Sequence, residues 1–183
     1  TSEPLIPMKK ILFIYILLLN IQASAQITKC PPTYEVVRLW VDSNQVHLIT
    51  RGESCSLPFY VQQYLFGGWK TVNKTMGQGT SVINNYTMNV NFLNGSNHFR
   101  IVQFGRDSVP YLSKPIIYNA ELSETKYTVG SENIKFNRET FYQLCKGENI
   151  ISEGYGLDIK ILNFDKGEYN LKLDTRTEII IIK

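Results

Sequence analysis

Tyr86-Thr87-Met88-Asn89-Val90-Asn91-Phe92 alternates apolar and polar side chains without a break. Neighbouring side chains of a strand point to opposite faces, so this stretch predicts a strand burying Tyr86, Met88, Val90 and Phe92. Asn94-Gly95 follows as a turn, and Phe99 to Phe104 is the next strand. The same rhythm extends upstream. Tyr34 to Val41 turns at Asp42-Ser43-Asn44 into Gln45 to Thr50, and Phe59 to Tyr64 turns at Gly67-Gly68 into Trp69 to Val72. Gly77 to Thr80 is expected as a hairpin loop, Gly105 to Pro110 as a turn, and Ile116 to Tyr118 as a seventh strand. Short β runs separated by turn residues in this way indicate a sandwich or barrel.

Asn119 to Lys126 is short and polar, and is expected to join two modules. Seven further runs follow: Tyr127 to Val129, Ile134 to Phe136, Phe141 to Cys145, Asn149 to Glu153, Leu157 to Ile161, Glu168 to Leu173 and Glu178 to Ile182. None shows helical periodicity with caps. The expectation is an all-β chain of two consecutive β-sandwich modules, residues 26–120 and 121–183. They follow a leader, 1–25, made of upstream residues and a helical signal peptide. Ile179-Ile180-Ile181-Ile182 is a strong β former without internal charge. It is expected to lie centrally, to be covered, or to be handled by a partner, since such a strand left unpaired is an aggregation hazard.

Aromatic residues make up 12% of the 183 residues, which favours sheet over helix before any pattern is read. The net charge of +3 is spread without a basic stripe or acidic tail, so nucleic acid is not an expected partner. Met8-Lys9-Lys10, the apolar run Ile11 to Leu19 and Ala23-Ser24-Ala25 give the three-part order of a secretory signal, with cleavage expected between Ala25 and Gln26. The run is shorter than the roughly 20 apolar residues a span requires, so no transmembrane segment is expected after cleavage. Lys29 before Cys30 is wrong for a lipid-attachment box. Cys30, Cys55 and Cys145 form an odd set, which leaves one thiol unpaired. Cys30 and Cys55, both near strand ends in the first half, are the expected pair, and Cys145 is expected as a small core residue.

Two stretches resemble known families. Leu93-Asn94-Gly95-Ser96-Asn97-His98-Phe99-Arg100-Ile101 resembles the strand corner of a fibronectin type III or immunoglobulin-like module, and the resemblance covers Tyr34 to Tyr118. It implies that Leu93, Phe99 and Ile101 sit together. The usual corner tyrosine bonds back to the backbone. Phe99 lacks that hydroxyl, and Thr50 stands where a strand tryptophan is usual.

The tail, Tyr127 to Lys183, resembles the C-terminal sorting domain of type IX secretion cargo in exported proteins of Bacteroidetes. The matching residues are Ile150-Ile151-Ser152-Glu153-Gly154-Tyr155-Gly156, then Leu157-Asp158-Ile159 and Leu162, then Lys166-Gly167-Glu168-Tyr169-Asn170-Leu171-Lys172-Leu173, and the terminal Lys183. The residues carrying the motif are Gly154, Gly156, Lys166, Gly167, Tyr169 and Lys183. The resemblance implies the type IX machinery as a partner and a cell-surface or secreted protein.

No constellation of residues in the sequence predicts catalysis, a metal or a cofactor. His47 and His98 show no spacing to a partner and are expected on strand faces. Gly77-Gln78-Gly79 lacks the following Lys and Ser/Thr of a phosphate loop. Glu35 with Asp42, and Asp158 with Asp165, are no better placed for paired-carboxylate chemistry than solvated turn residues, and no Gly-x-Ser-x-Gly is present. Asn73-Lys74-Thr75, Asn85-Tyr86-Thr87 and Asn94-Gly95-Ser96 match the eukaryotic glycosylation pattern, and Asp107-Ser108-Val109 resembles a bacterial O-glycosylation motif. Tyr60, Tyr64, Phe66, Trp69 and Tyr111 are candidates for an exposed patch. Ser54 to Phe59, Leu65 to Trp69 and Gly105 to Tyr111 are the loops where an unknown surface ligand is expected. The function expected is therefore a non-enzymatic, exported cell-envelope protein, with a binding or spacer module and a sorting or anchoring tail. The alternatives are a periplasmic or outer-membrane-associated accessory protein and, less favoured, a small secreted hydrolase.

Overall fold

The alternation quoted above becomes a buried strand face. A computed structural model describes residues 34–183; the leader, its Ala25/Gln26 cleavage point and Cys30 lie outside the described residues. β1 (Glu35–Asp42), β2 (Gln45–Arg51) and β5 (Asn84–Asn89) form an antiparallel sheet in the order β1-β2-β5. Val46 stands opposite Met88 and Leu48 opposite Tyr86, and all four are buried. Val90 and Phe92 continue the alternation of burial after β5 has left the sheet.

A five-stranded sheet supplies the other half of this core. β4 (Gly68–Met76), β3 (Pro58–Leu65) and β6 (Gly95–Phe104) lie side by side, and β7 (Pro110–Leu112) and β8 (Ile116–Ala120) pair with successive stretches of β6. Phe59, Val61, Phe99 and Ile101 point inward and are completely buried against the first sheet's residues. The two sheets thus make a sandwich, each contributing alternate side chains to a shared interior. Part of the segment expected as the Gly105 to Pro110 turn is strand, because Pro110 opens β7 opposite Phe104.

The strand corner is tied by a residue that the resemblance did not point to. Asn97, 1% exposed, donates from Nδ2 to the Leu93 carbonyl at 2.9 Å, while its Oδ1 accepts the Leu93 N–H at 2.8 Å. Gln63 Nε2 donates to the same Oδ1 at 2.9 Å. A side-chain amide therefore fastens the chain that leads into β6.

Gly77-Gln78-Gly79 does not close a hairpin. It carries the chain from β4 of one sheet toward β5 of the other. A Cβ on Gly77 would stand 2.7 Å from the Leu57 carbonyl oxygen, and one on Gly79 2.5 Å from the Ser56 nitrogen. Gly79 also has φ +68°, a conformation that costs an L side chain about 1–2 kcal/mol before any clash. Gly79→Ala should therefore lower stability by about 2–3 kcal/mol, read as a shifted midpoint in chemical denaturation. An unchanged midpoint would dismiss the close-packing role of this loop.

Beneath that loop, Glu53 is 3% exposed. Its carboxylate accepts hydrogen bonds from the Thr50 hydroxyl, from the Tyr86 hydroxyl (2.7 and 2.9 Å to its two oxygens) and from the Gly79 N–H at 3.0 Å. Burial pushes the carboxyl pKa up, but the bonds from Thr50, Gly79 and Tyr86 outweigh it and hold it below the usual value. Tyr86 is pushed up to about 12, chiefly by burial. Cys55 nearby is disulfide-bonded, and Cys145 is a buried free thiol.

The seven runs of the tail fold as five strands: β9 (Tyr127–Val129), β10 (Asn133–Lys146), β11 (Asn149–Lys160), β12 (Gly167–Leu173) and β13 (Arg176–Ile182). They pair in the order β11-β10-β12-β13, with β9 on the first stretch of β10. Asn137-Arg138-Glu139 has the composition of a break, but β10 continues through it as a bulge, with a register shift between Lys135 and Thr140. The bend lets both halves of β10 face one interior. Ile134 and Phe136 from the first half join Leu144 from the second, with Ile159, Tyr169, Leu171, Leu173, Ile180 and Ile182. This core is separate from that of the two-sheet sandwich.

β13 is neither central nor covered. It pairs only with β12 among the described strands, and Ile179 and Ile181 are 70% and 58% exposed while Ile180 and Ile182 are buried. Period-two alternation allows only half of an all-isoleucine run to reach the core.

Residues 119–126 are held along much of their length. Asn94 Oδ1 accepts the Leu122 N–H, and Arg138 Nε donates to the Ser123 carbonyl. Asn137 Oδ1 accepts the Lys126 N–H, and Arg176 donates to the Thr125 carbonyl. Asp174, 7% exposed in the β12–β13 turn, collects the Asn94 N–H (3.3 Å), the Thr125 N–H (3.2 Å) and Arg138 Nη2 (2.9 Å). The polar bulge of β10 and the Asp174 turn together fasten the connecting segment. No helix among the described residues is long and apolar enough to cross a membrane.

Candidate functional site

Hairpin β3–β4 turns tightly at Phe66-Gly67, both with positive φ (+51° and +92°), the backbone signature of a two-residue hairpin loop. That turn brings Leu65, Phe66, Lys70, Thr71 and Val72 opposite the tail strands. Phe141 and Tyr142 of β10 and Glu153, Gly154 and Tyr155 of β11 face them, and Asn89, Val90 and Asn91 complete the lining. Between these walls lies a cleft of about 420 Å³, within the size range of small-molecule sites.

Polar and aromatic groups divide its lining. Lys70 Nζ lies 2.9 and 3.2 Å from the two carboxylate oxygens of Glu153. Gln143 Nε2 donates to Glu153 at 3.0 Å, and Lys172 Nζ donates to Gln143 Oε1 at 2.9 Å. The Lys70 ammonium, then the Gln143 amide, hold the Glu153 carboxyl below its usual pKa. Phe141 and Tyr155 meet edge to face, with ring centroids 4.9 Å apart and planes at 60°. Gly154 leaves room for the Tyr142 ring of the neighbouring strand: a Cβ there would stand 3.1 Å from the Tyr142 hydroxyl. Asn89 accepts from Gln45 Nε2 at 3.0 Å, while the Asn91 amide and Thr71 hydroxyl have no protein partner among the described residues.

The motif residues of the tail are not gathered in one place. Gly154 floors the cleft, and Gly156 lies two residues further along β11. Gly167, at φ +138°, opens β12 beside exposed Lys166. Tyr169 is buried there and donates to the Asp165 carbonyl at 2.7 Å. β10 separates these two groups, and exposed Lys183 follows β13.

His47 has the partners that its spacing concealed. It stands opposite Trp40 in the β1–β2 register, and the rings stack at 4.8 Å and 11°. Its Nε2 is 3.0 Å from Asp42 Oδ1 and its Nδ1 is 3.1 Å from Thr87 Oγ1. The Trp40 indole N–H donates to the same Asp42 carboxylate at 3.1 Å, and the His47 and Trp40 bonds hold that carboxyl below its usual pKa. Carboxylate, imidazole and hydroxyl stand in a row, but on the outward face of a sheet. The row joins three neighbouring strands, β1, β2 and β5.

The expected aromatic patch divides. Trp69 carries the Arg100 guanidinium over its ring at 4.2 Å and meets Tyr64 edge-on at 5.5 Å, while Tyr60 pairs with Phe104 and Tyr111 with Tyr34. Phe66 alone of the five named aromatics lines the cleft. Of the three expected loops, only Leu65 to Trp69 contributes to it. Ser54 to Phe59 is packed against Gly77 and Gly79.

The chain matches no model of a known protein family and no curated protein.

Proposed function

We propose that this is an exported, non-enzymatic protein of the cell envelope that binds a ligand in the cleft between β4 and the β10–β11 hairpin. In this reading residues 127–183 also act as a sorting or anchoring domain for the type IX route. One observation carries the binding part: the cleft combines a paired Phe141 and Tyr155 with the solvent-exposed polar side chains of Asn91 and Thr71. Apolar walls with a few convergent polar groups are the ordinary make-up of a binding site. The sorting part is supported by the tail motif from Gly154 to Lys183.

A second reading, a periplasmic or outer-membrane-associated accessory protein whose tail is purely structural, is favoured by a different observation. Lys70 with Glu153 and Asn94 with Asp174 tie the tail to the preceding sheets. Cell fractionation separates the two. With a sorting tail, the full chain reaches the surface or medium, and a chain ending at residue 126 accumulates inside the envelope. Recovery of the full chain from the periplasm alone would overturn the sorting role.

A further inference from the structure

We infer that the cleft takes a neutral carbohydrate chain, an inference that rests on the binding role proposed above. Three properties of the lining select this class. The charges are already spent on each other: both Glu153 oxygens receive Lys70, and Gln143 adds a further bond. An anionic or cationic ligand has to compete with that pair, whose side chains are 41% and 40% exposed, and gains only the modest energy of an exposed ion pair in return. A neutral ligand leaves it intact.

The groups with spare capacity are an amide at Asn91 and a hydroxyl at Thr71, while Asn89 has only its Oδ1 taken by Gln45. Amides both donate and accept, which suits vicinal hydroxyls that do the same. Phe141 and Tyr155, with Phe66 nearby, give apolar surface for the C–H face of a sugar ring. Tyr155 is 39% exposed, so part of it is open to a ligand.

An added peptide strand fits the same walls less well. Among the described strands β4 is an edge strand, but Val72 is bulged out of register between Thr71, opposite Gln62, and Asn73, opposite Val61. A bulge interrupts the even ladder that strand addition requires.

The test titrates the full, isotope-labelled chain with cellohexaose, xylohexaose, mannohexaose and chitohexaose, with tetragalacturonic acid as an anionic probe and a polar hexapeptide as a strand probe. The expected result is binding of at least one neutral saccharide. Amide shifts then fall at residues 65–72, 89–91 and 153–155, and Tyr155→Ala and Asn91→Ala each weaken binding about tenfold. Trp40→Ala, on the outer face of β1, leaves it unchanged. Binding of the acid or the peptide alone in the cleft overturns the carbohydrate assignment while keeping the binding role. Shifts outside the cleft, or none with any probe, overturn both.

Discussion

Glu53→Ala is expected to cost about 4 kcal/mol and lower the thermal midpoint by about 10 °C. The substitution removes the acceptor of three donors at once: the hydroxyls of Thr50 and Tyr86 and the Gly79 N–H. Thr50 and Glu53 are almost wholly enclosed, so water cannot readily replace the carboxylate, and each orphaned donor bears its own desolvation cost. The damage also spreads, because these donors lie on β2, β5 and the β4–β5 crossing, and Glu53 joins all three. Glu53→Gln keeps the shape but turns an NH₂ toward groups that donate. Its loss should be about half as large.

Acid provides an independent readout of the same residue. The folded carboxyl sits below its usual pKa, so the unfolded chain binds the proton more readily. The carboxylate's contribution is therefore complete above the unfolded pKa, about 4.3, and is lost as pH falls through the folded value. Wild type and Glu53→Ala should differ fully at pH 7 and converge on acidification. Parallel stability curves down to pH 2 would refute the role assigned to this carboxylate.

The second large effect is at Asp174. Its substitution by alanine leaves Arg138 without its buried partner and frees the N–H groups of Asn94 and Thr125. Breaking a buried ion pair from one side costs about 3–5 kcal/mol, and Asp174 has φ +49°, which alanine tolerates poorly. The two hydrophobic interiors share no residue, and Asp174 is a main tie between the elements that carry them. Calorimetry of Asp174→Ala should resolve two heat-absorption peaks where the parent shows one. Asp174→Asn, which accepts αL geometry, should lose about half as much stability. A single peak with an unmoved midpoint in both variants would show that the tie is dispensable.

The parts of the fold legible in the sequence were those written in local alternation. Val46, Leu48, Met88 and Val90 announce their face by position alone, and Ser43-Asn44 and Phe66-Gly67 lie at or beside the turn residues that the sequence marks. Asn137-Arg138-Glu139 misled because a polar triplet inside a strand has the same composition as a loop. Its side chains are polar because they hold the segment before β9, a partnership set by tertiary position. The partners of His47 stayed hidden for a similar reason. Thr87 lies 40 residues away, and only the β2–β5 register brings the two together. Glu53 gave no signal, since a single carboxylate among loop serines resembles any solvated turn.

The cleft was least legible of all. Its walls come from a hairpin, a strand end and a tail hairpin, and Lys70 and Glu153 are 83 residues apart. Leu65 to Trp69 was marked by its glycines and aromatics, but nothing local says what faces it. Gly154, expected from the tail motif, lies at the cleft between Glu153 and Tyr155 of β11 and leaves room there for the Tyr142 ring.

That distance in sequence has a consequence for when the molecule can work. A chain emerging from the ribosome has no such cleft until residue 155 has arrived and the tail hairpin has folded opposite the β3–β4 turn. On the binding role proposed above, a ligand in that space stabilises only the finished form, by mass action.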